Sequence, residues 1–534
     1  MVPPPAAPQD LIEEVRGDVT FVRTDPNLPP VAIIDRSPIT TRHRLTFGAI
    51  AVLGAVAWAM IAFLRGETVN AVWFVLAAIC TYVIGFRFYA RLIEMKIVRP
   101  RDDHATPAEI YENGTDYMPT DRRVLFGHHF AAIAGAGPLV GPVLAIQMGY
   151  LPGTIWIIIG AVLAGCVQDY LVLAISTRRR GRSLGQMARD ELGPVGGTAA
   201  IVGVLVIMMI LLAVLGLVVV NALGLSGQPI TPAEITDAAA GVGEQSIVSR
   251  TGGAPTLAFG MAQVLSVFGG SGLKAFWYHF AIMFEALFIL TTIDAGTRVA
   301  RFMLSDGLSN LGGPMRRLHD PSWKVGAWVC SIIVVAAWGS ILLMGVTDPL
   351  GGINTLFPLF GIANQLLAAI ALTVVTVVVI KMGLLKWAWI PGIPLLWDLV
   401  VTLTASWQKI FSGDPKLGYW TQHFQFRDAR DAGKTSFGAA KNPDQLQDVI
   451  RNTFIQGTLS ILFATVVLIV VASAIVMTIR SMRGRGRPLA VEPPVPSRIF
   501  GPSRLLATPV EKEVQKQWDT LAESPVRSVG TSAR

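Results

Sequence analysis

Four carboxylates lie inside or at the ends of long apolar runs: Asp169, Glu285, Asp294 and Asp398. A charge held in hydrocarbon is costly, which makes each a candidate for handling an ion or a substrate. Asp169 follows Gln168 and stands nine residues before Arg178, so at 1.5 Å per residue it lies ~13 Å inside the end of its run. A bond to a neighbouring helix is the alternative use for it. Glu285 stands ten residues into its run, with Phe280, Phe284 and Phe288 around it. A carboxyl in that setting suits loading and release of a proton; pinning helices together is the alternative. Asp294 precedes Arg298 by four residues, and an intrahelical pair explains it without function. Asp398 lies twelve residues after Lys386 in an apolar run, and spacing names no partner for it.

The other candidates are uncharged or basic. His128 and His129 open the stretch Phe130-Ala131-Ala132-Ile133-Ala134-Gly135-Ala136-Gly137-Pro138-Leu139-Val140-Gly141-Pro142. Histidine titrates near neutrality, so a proton relay and a plain boundary pair are both open. The stretch is apolar enough for a bilayer but too rich in Gly and Pro for one regular helix. Freed backbone groups at that depth survive only beside protein or a water-filled cavity, and interrupted segments mark binding sites of secondary transporters. A second break runs from Asp348-Pro349-Leu350-Gly351-Gly352-Ile353-Asn354 to Pro358, Asn364 and Gln365. Its amides suit either a substrate or interhelical bonding. Arg250 precedes Gly252, Gly253 and Pro255, where a helix start would favour a carboxylate; an outer-loop turn is the plainer reading. His279, between Tyr278 and Phe280, reads as an interfacial anchor.

These residues need a scaffold that crosses a membrane. Of 534 residues, 52% are hydrophobic and 15% charged, with mean hydropathy +0.53; soluble proteins carry roughly 25% charged residues. The net charge of +8 does not argue for nucleic acid, because Lys and Arg cluster in short runs between apolar segments. Cys80, Cys166 and Cys330 all lie in apolar runs and read as inert thiols. No nucleophile–base pair, phosphate loop or metal-ligand spacing appears, so neither an enzyme nor a metal or cofactor site is expected.

The fold expected is an all-α polytopic membrane protein with about ten spans of ~20 apolar residues, near 45–64, 71–92, 128–150, 153–177, 196–222, 275–293, 325–345, 355–379, 386–404 and 454–479. The basic residues Arg42, Arg44, Arg87, Arg91, Lys96, Arg99, Arg101, Arg178, Arg179, Arg180, Arg182, Arg298, Arg301, Arg316, Arg317, Lys381, Arg480, Arg483, Arg485 and Arg487 fall on one side if the spans alternate. Both termini are then cytoplasmic. Residues 1–40 and 483–534 read as disordered cytoplasmic arms, with a short polar helix over Val510–Leu521. Between them lie a bundle at 41–222, an outer loop with a re-entrant piece at 223–274, a second bundle at 275–405, an outer polar loop with short helices at 406–453, and a last span within 454–482.

Phe126 to Pro142 resembles the signature of the carbon starvation protein A family. So do Met148-Gly149-Tyr150-Leu151-Pro152-Gly153, Gln168-Asp169, Ser176-Thr177-Arg178-Arg179, Ala275 to Phe280, Asp294-Ala295-Gly296-Thr297-Arg298, and Asp348 to Gln365. The similarity covers roughly residues 40–420. It implies a plasma-membrane transporter induced in carbon starvation, for peptides and in some members pyruvate, driven by protons or sodium. It also implies the amino-acid/polyamine/organocation architecture, with inverted repeats and broken helices. The chain departs from the family between Asn221 and Thr231, where long members carry several further spans.

The resulting expectation is a secondary transporter of small carboxylate-bearing nutrients. His128 to Pro142, with Gly135, Gly137, Pro138, Gly141 and Pro142, lines the route. Gln168, Asp169 and Glu285 serve the ion, and Asn364 and Gln365 the substrate. Arg250, His279, Asp294, Asn354 and Asp398 stand behind them. Its partners are the bilayer, the substrate and a coupling ion. The alternative is an internally truncated, non-transporting membrane protein or nutrient-sensing regulator.

Overall fold

A computed structural model describes residues 12–16, 19–23, 27, 29–30, 32–35, 40–63, 71–100, 104–114, 117–133, 135, 137, 141, 150–223, 254–266, 270–309, 311–320, 323–484, 489–490, 492–493, 495, 497 and 509–523. Three strands come first: β1 (Ile12–Arg16), β2 (Val19–Arg23) and β3 (Ala32–Asp35). The helices used below are α1 (Thr41–Phe63), α2 (Ala71–Ile84), α3 (Arg122–Ile133), α4 (Tyr150–Gly160), α5 (Cys166–Arg178), α6 (Leu184–Leu223) and α7 (Ala254–Leu265). They continue with α8 (Lys274–Ser309), α9 (Lys324–Val346), α10 (Gly352–Lys381), α11 (Trp389–Phe411), α12 (Tyr419–Asp431), α13 (Pro443–Met482) and α14 (Pro509–Glu523).

Among the described residues, nine helices are long and apolar enough to cross a membrane. They match nine of the ten expected spans. The tenth, near 128–150, falls on residues described only in part. The protein is a multi-pass helical membrane protein. At 1.5 Å per residue, α13 is ~60 Å long and runs well past a hydrocarbon core of ~30 Å.

Contacts divide the chain into two compact units. One comprises residues 1–127, 170–182 and 490–534; the other comprises 128–169 and 183–489. In the first, α1 and α2 pair closely: Gly54 lies against Cys80, and the Trp58 indole donates to Thr81 at 3.1 Å. The Arg178 guanidinium donates to the Arg99 carbonyl at 2.9 Å, so two of the basic stretches meet. The arm expected to be disordered holds the antiparallel sheet β1–β2–β3, with Ile12 opposite Arg23 and Val19 opposite Asp35. Its alternation of β-branched and charged residues puts Phe21 fully inside, and Arg23 pairs with Glu14 at 2.6 Å. The helix expected near Val510 is α14, and its Trp518 indole donates to the Pro30 carbonyl at 2.9 Å. The scarcity of apolar residues in both arms concealed this small core.

The second unit is built around α6, α10 and α13. The run Ala199–Val220 in α6 is apolar on every side, and a helix of that kind belongs inside; 67% of its most apolar window is buried, as is 72% of the window in α10. By contrast α9 is only 17% buried and presents Trp328 and Ile332 outward, as a lipid-facing helix should. Thus α6, expected in a first bundle ending at residue 222, packs instead on α8, α9, α10 and α13. Small residues permit the approach: a Cβ at Gly296 of α8 would come within 2.7 Å of Leu212 on α6, and Gly203 of α6 lies against Val466 of α13.

Lys381 is not a loop charge. Its ammonium reaches Glu191 Oε2 at 2.7 Å and the Glu191 carbonyl at 3.0 Å, with both side chains buried. The pair ties the end of α10 to the segment before Gly193, where a φ of 88° followed by Pro194 breaks the regularity of α6. The basic-loop pattern loses one member as a result.

Candidate functional site

The described start of the glycine-rich break packs on α8. Helix α3 ends at Ile133, which leaves its last carbonyls without helical donors. The Thr292 hydroxyl of α8 lies 3.3 Å from the Ala131 carbonyl, and also 3.3 Å from the Phe288 carbonyl in its own helix. Gly135 is buried against Thr292, where a Cβ would approach Oγ1 to 2.9 Å. Phe130 meets Phe288 edge-on at 6.1 Å. No atom of the described residues lies within 4 Å of where a Cβ would stand at Gly137 or Gly141. His128 and His129 are exposed. Pro138 and Pro142 lie outside the described residues.

Glu285 sits two turns before Thr292, on the inward face of α8 with Tyr278, Ala281, Ile282, Ala286 and Ile289. It is 1% exposed, and neither carboxyl oxygen has a hydrogen-bond partner among the described residues. A charged carboxylate left like this would be disfavoured by several kcal/mol. The position therefore calls for a proton or an arriving cation. Elsewhere on α8, His279 is exposed with its ring against Tyr278, and Asp294 pairs with Arg298 at 2.9 Å on the exposed surface. That pair is the one the spacing predicts.

Asp169 follows a π-helical turn, Ala161–Gly165, an irregularity frequent at functional positions. His129 lies within electrostatic range of Asp169, so two of the expected residues come together. Gln168 is half-buried beside them. The π turn packs against α11, and Trp156 meets Trp397 at 5.4 Å.

Two further expected residues meet across α10 and α11. The Thr402 hydroxyl lies 2.8 Å from Gln365 Oε1 and 3.2 Å from Asp398 Oδ1. Asn364 is exposed. The side chain of Asn354 and all of Arg250 lie outside the described residues. At the second break Pro358, inside α10, has no N–H to offer the carbonyl four residues earlier. Asp348 is the buried anchor of this break, accepting from Leu350 N at 3.0 Å and from the Thr355 hydroxyl at 2.8 Å. Burial pushes the Asp348 carboxyl above the usual carboxylate range, with a small addition from Asp448, and donors from Leu350, Thr355 and Asn452 draw it partly back.

The sequence reading missed two buried polar features of the second unit. One is the Lys381–Glu191 pair. The other is the stripe Asn452, Gln456 and Ser460 on α13, where Gln456 is wholly buried and neither atom of its amide has a partner among the described residues. The four-residue spacing of this stripe was legible. Neither of two prominent cavities includes any expected residue. One, about 390 Å³, lies between the N-terminal sheet region and α14, and the other, about 530 Å³, lies between Gly193–Pro194 and α13.

The family model described as carbon starvation protein CstA matches residues 70–229 and 223–405. A peptide transporter CstA of Mycobacterium tuberculosis is 48% identical over 97% of this chain and 99% of that protein. The chain belongs to the carbon starvation protein CstA family. A peptide transporter CstA of Escherichia coli is 33% identical over 84% of this chain and 96% of its own length. The pyruvate/proton symporter BtsT of the same organism is 30% identical over 78% and 92% respectively. No solved structure matches. The alignment to the mycobacterial relative runs over 749 positions, whereas this CstA-family chain has 534 residues, so a large block of the relative has no counterpart here. The two parts of the family match meet at 223–229, the place where the sequence departs from the long members.

Proposed function

We propose that this chain is a secondary active transporter of the plasma membrane that imports small carboxylate-bearing nutrients, peptides first and pyruvate second, driven by protons or sodium. Family membership and the relatives named peptide transporter and pyruvate/proton symporter support the class. The observation that carries the reading is Glu285, inside a membrane-spanning helix, buried, and without a hydrogen-bond partner among the described residues. An ionisable group so placed is expensive unless it exchanges an ion. Asp169, with Gln168 and His129 beside it, is the second ion-handling position. The broken segment from His128 to Pro142 forms a wall of the route, and Gln365 meets the substrate. The basic stretches that flank the spans favour a cytoplasmic position for both termini.

A second reading rests on the gap at 223–229. Loss of a central block of helices would open one side of the core, leaving a non-transporting membrane protein or a nutrient-sensing regulator. Uptake of labelled pyruvate and dipeptides into proteoliposomes, with and without imposed proton and sodium gradients, separates the two. Saturable, gradient-dependent accumulation supports transport; gradient-independent flux or none refutes it.

A further inference from the structure

Asp398, Thr402 and Gln365 contain a proton-counting problem whose solution assigns them a role. Asp398 and Thr402 stand one turn apart on α11, and Gln365 comes from α10. The Thr402 hydroxyl, fully buried, carries one proton. It stands between two acceptor oxygens, Gln365 Oε1 at 2.8 Å and Asp398 Oδ1 at 3.2 Å. One proton serves only one of them. The 2.8 Å spacing is that of an O–H···O hydrogen bond. Asp398 Oδ2 is buried without a partner among the described residues.

Two arrangements satisfy the count. With Asp398 protonated, its O–H donates to Thr402, and Thr402 donates to Gln365 Oε1. With Asp398 ionised, Thr402 donates to the carboxylate, the stronger acceptor, and Gln365 must turn its NH2 toward Thr402. The Gln365 amide thus reverses with one proton. In the first arrangement its NH2 points away from Thr402, free to donate to a carboxylate. In the second its carbonyl oxygen points that way and repels one. We propose that Asp398 is a coupling proton site, and that its proton, relayed by Thr402, turns Gln365 into the donor that receives a substrate carboxylate. The contact of Gln365 Oε1 with Thr402 is the one the loaded arrangement requires. This rests on the transporter reading and names the ion and the substrate group for it.

Asp398 joins Glu285 and Asp169 as an ion-handling position, and its own surroundings single out the proton it would carry. Among the described residues no charged group acts on Asp398. On the elements packed against α11, Lys381 is held by Glu191, His423 bonds the Ile450 carbonyl, and Asp448 pairs with Arg451. Lys409, on α11 itself, lies over the Tyr419 ring.

The test is binding of labelled pyruvate and a dipeptide to the purified full chain across a pH series. Affinity of the unaltered protein is expected to fall on deprotonation by roughly 5–150-fold, the usual range of such couplings. D398N, whose amide donates to Thr402 at every pH, is expected to bind at the loaded level throughout. T402V is expected to lose the pH dependence and T402S to restore it. D398N or T402V with the pH dependence of the unaltered protein overturns the proposal. Infrared difference spectra between low and high pH add an arm that needs no substrate. A protonated-carboxyl band should vanish in D398N and shift in T402V, and a spectrum unchanged by D398N also overturns the proposal. An unaltered protein that binds neither probe at any pH refutes the transporter reading, and the infrared arm then decides the proton site alone.

Discussion

Glu285 is held in place at the expense of stability. A buried polar group without a hydrogen-bond partner carries a desolvation cost that an apolar side chain of similar volume avoids. Glu285→Leu is therefore expected to raise the unfolding temperature in detergent while abolishing gradient-driven uptake; a lowered unfolding temperature would count against the reading. Asp348 has a predictable sign. Burial makes the folded protein hold that proton more tightly than the unfolded chain. Its stabilising contribution is complete below about pH 4, the unfolded value, and is lost as pH rises through the folded one. Asp348→Asn should flatten that part of the stability profile, as read by thermal unfolding from pH 4 upward. Asp169, Glu285 and Asp398 were legible in the sequence because a charge inside an apolar run stands out by its cost. Gln456 was passed over because an amide in such a run carries no comparable cost. The Glu191–Lys381 pair was invisible because its partners lie 190 residues apart.

At the level of helices, the buried pair and the glycine contacts make the sharpest statements. Lys381→Met leaves Glu191 buried and unpaired, and breaking such a pair is destabilising by about 3–5 kcal/mol. The double change Lys381→Met with Glu191→Met should recover most of that loss in the same unfolding measurement. Gly296→Leu should push α8 off Leu212 of α6 and lower the yield of folded protein. Span positions were legible to within a few residues, because length and hydropathy are what a bilayer selects. The N-terminal sheet was not, because its two buried aromatics, Phe21 and Trp518, lie nearly 500 residues apart in arms that are otherwise polar. The Gly193 break in α6 was missed for another reason. A glycine-proline pair at the foot of a long apolar run reads as a helix start, and only its packing beside Glu191 and Lys381 reveals the shorter helical segment before it.

For the molecule entire, the basic flanks predict both termini in the cytoplasm. A fluorescent protein fused to either end should fold and fluoresce, and a periplasmic reporter at the same positions should stay silent. The junction at 223–229 was readable as a departure from a longer pattern, while the division into two compact units was not, since hydropathy carries no information about which helices touch. Whether a chain with this gap still moves a substrate decides the account. The decisive measurement is accumulation of labelled pyruvate and dipeptide in proteoliposomes under separate proton and sodium gradients, for the unaltered protein and for Glu285→Gln. Uphill accumulation under at least one gradient by the former and none by the latter is the expected result. Equal accumulation by both would remove Glu285 from the mechanism, and none by either would show that this chain does not transport these nutrients.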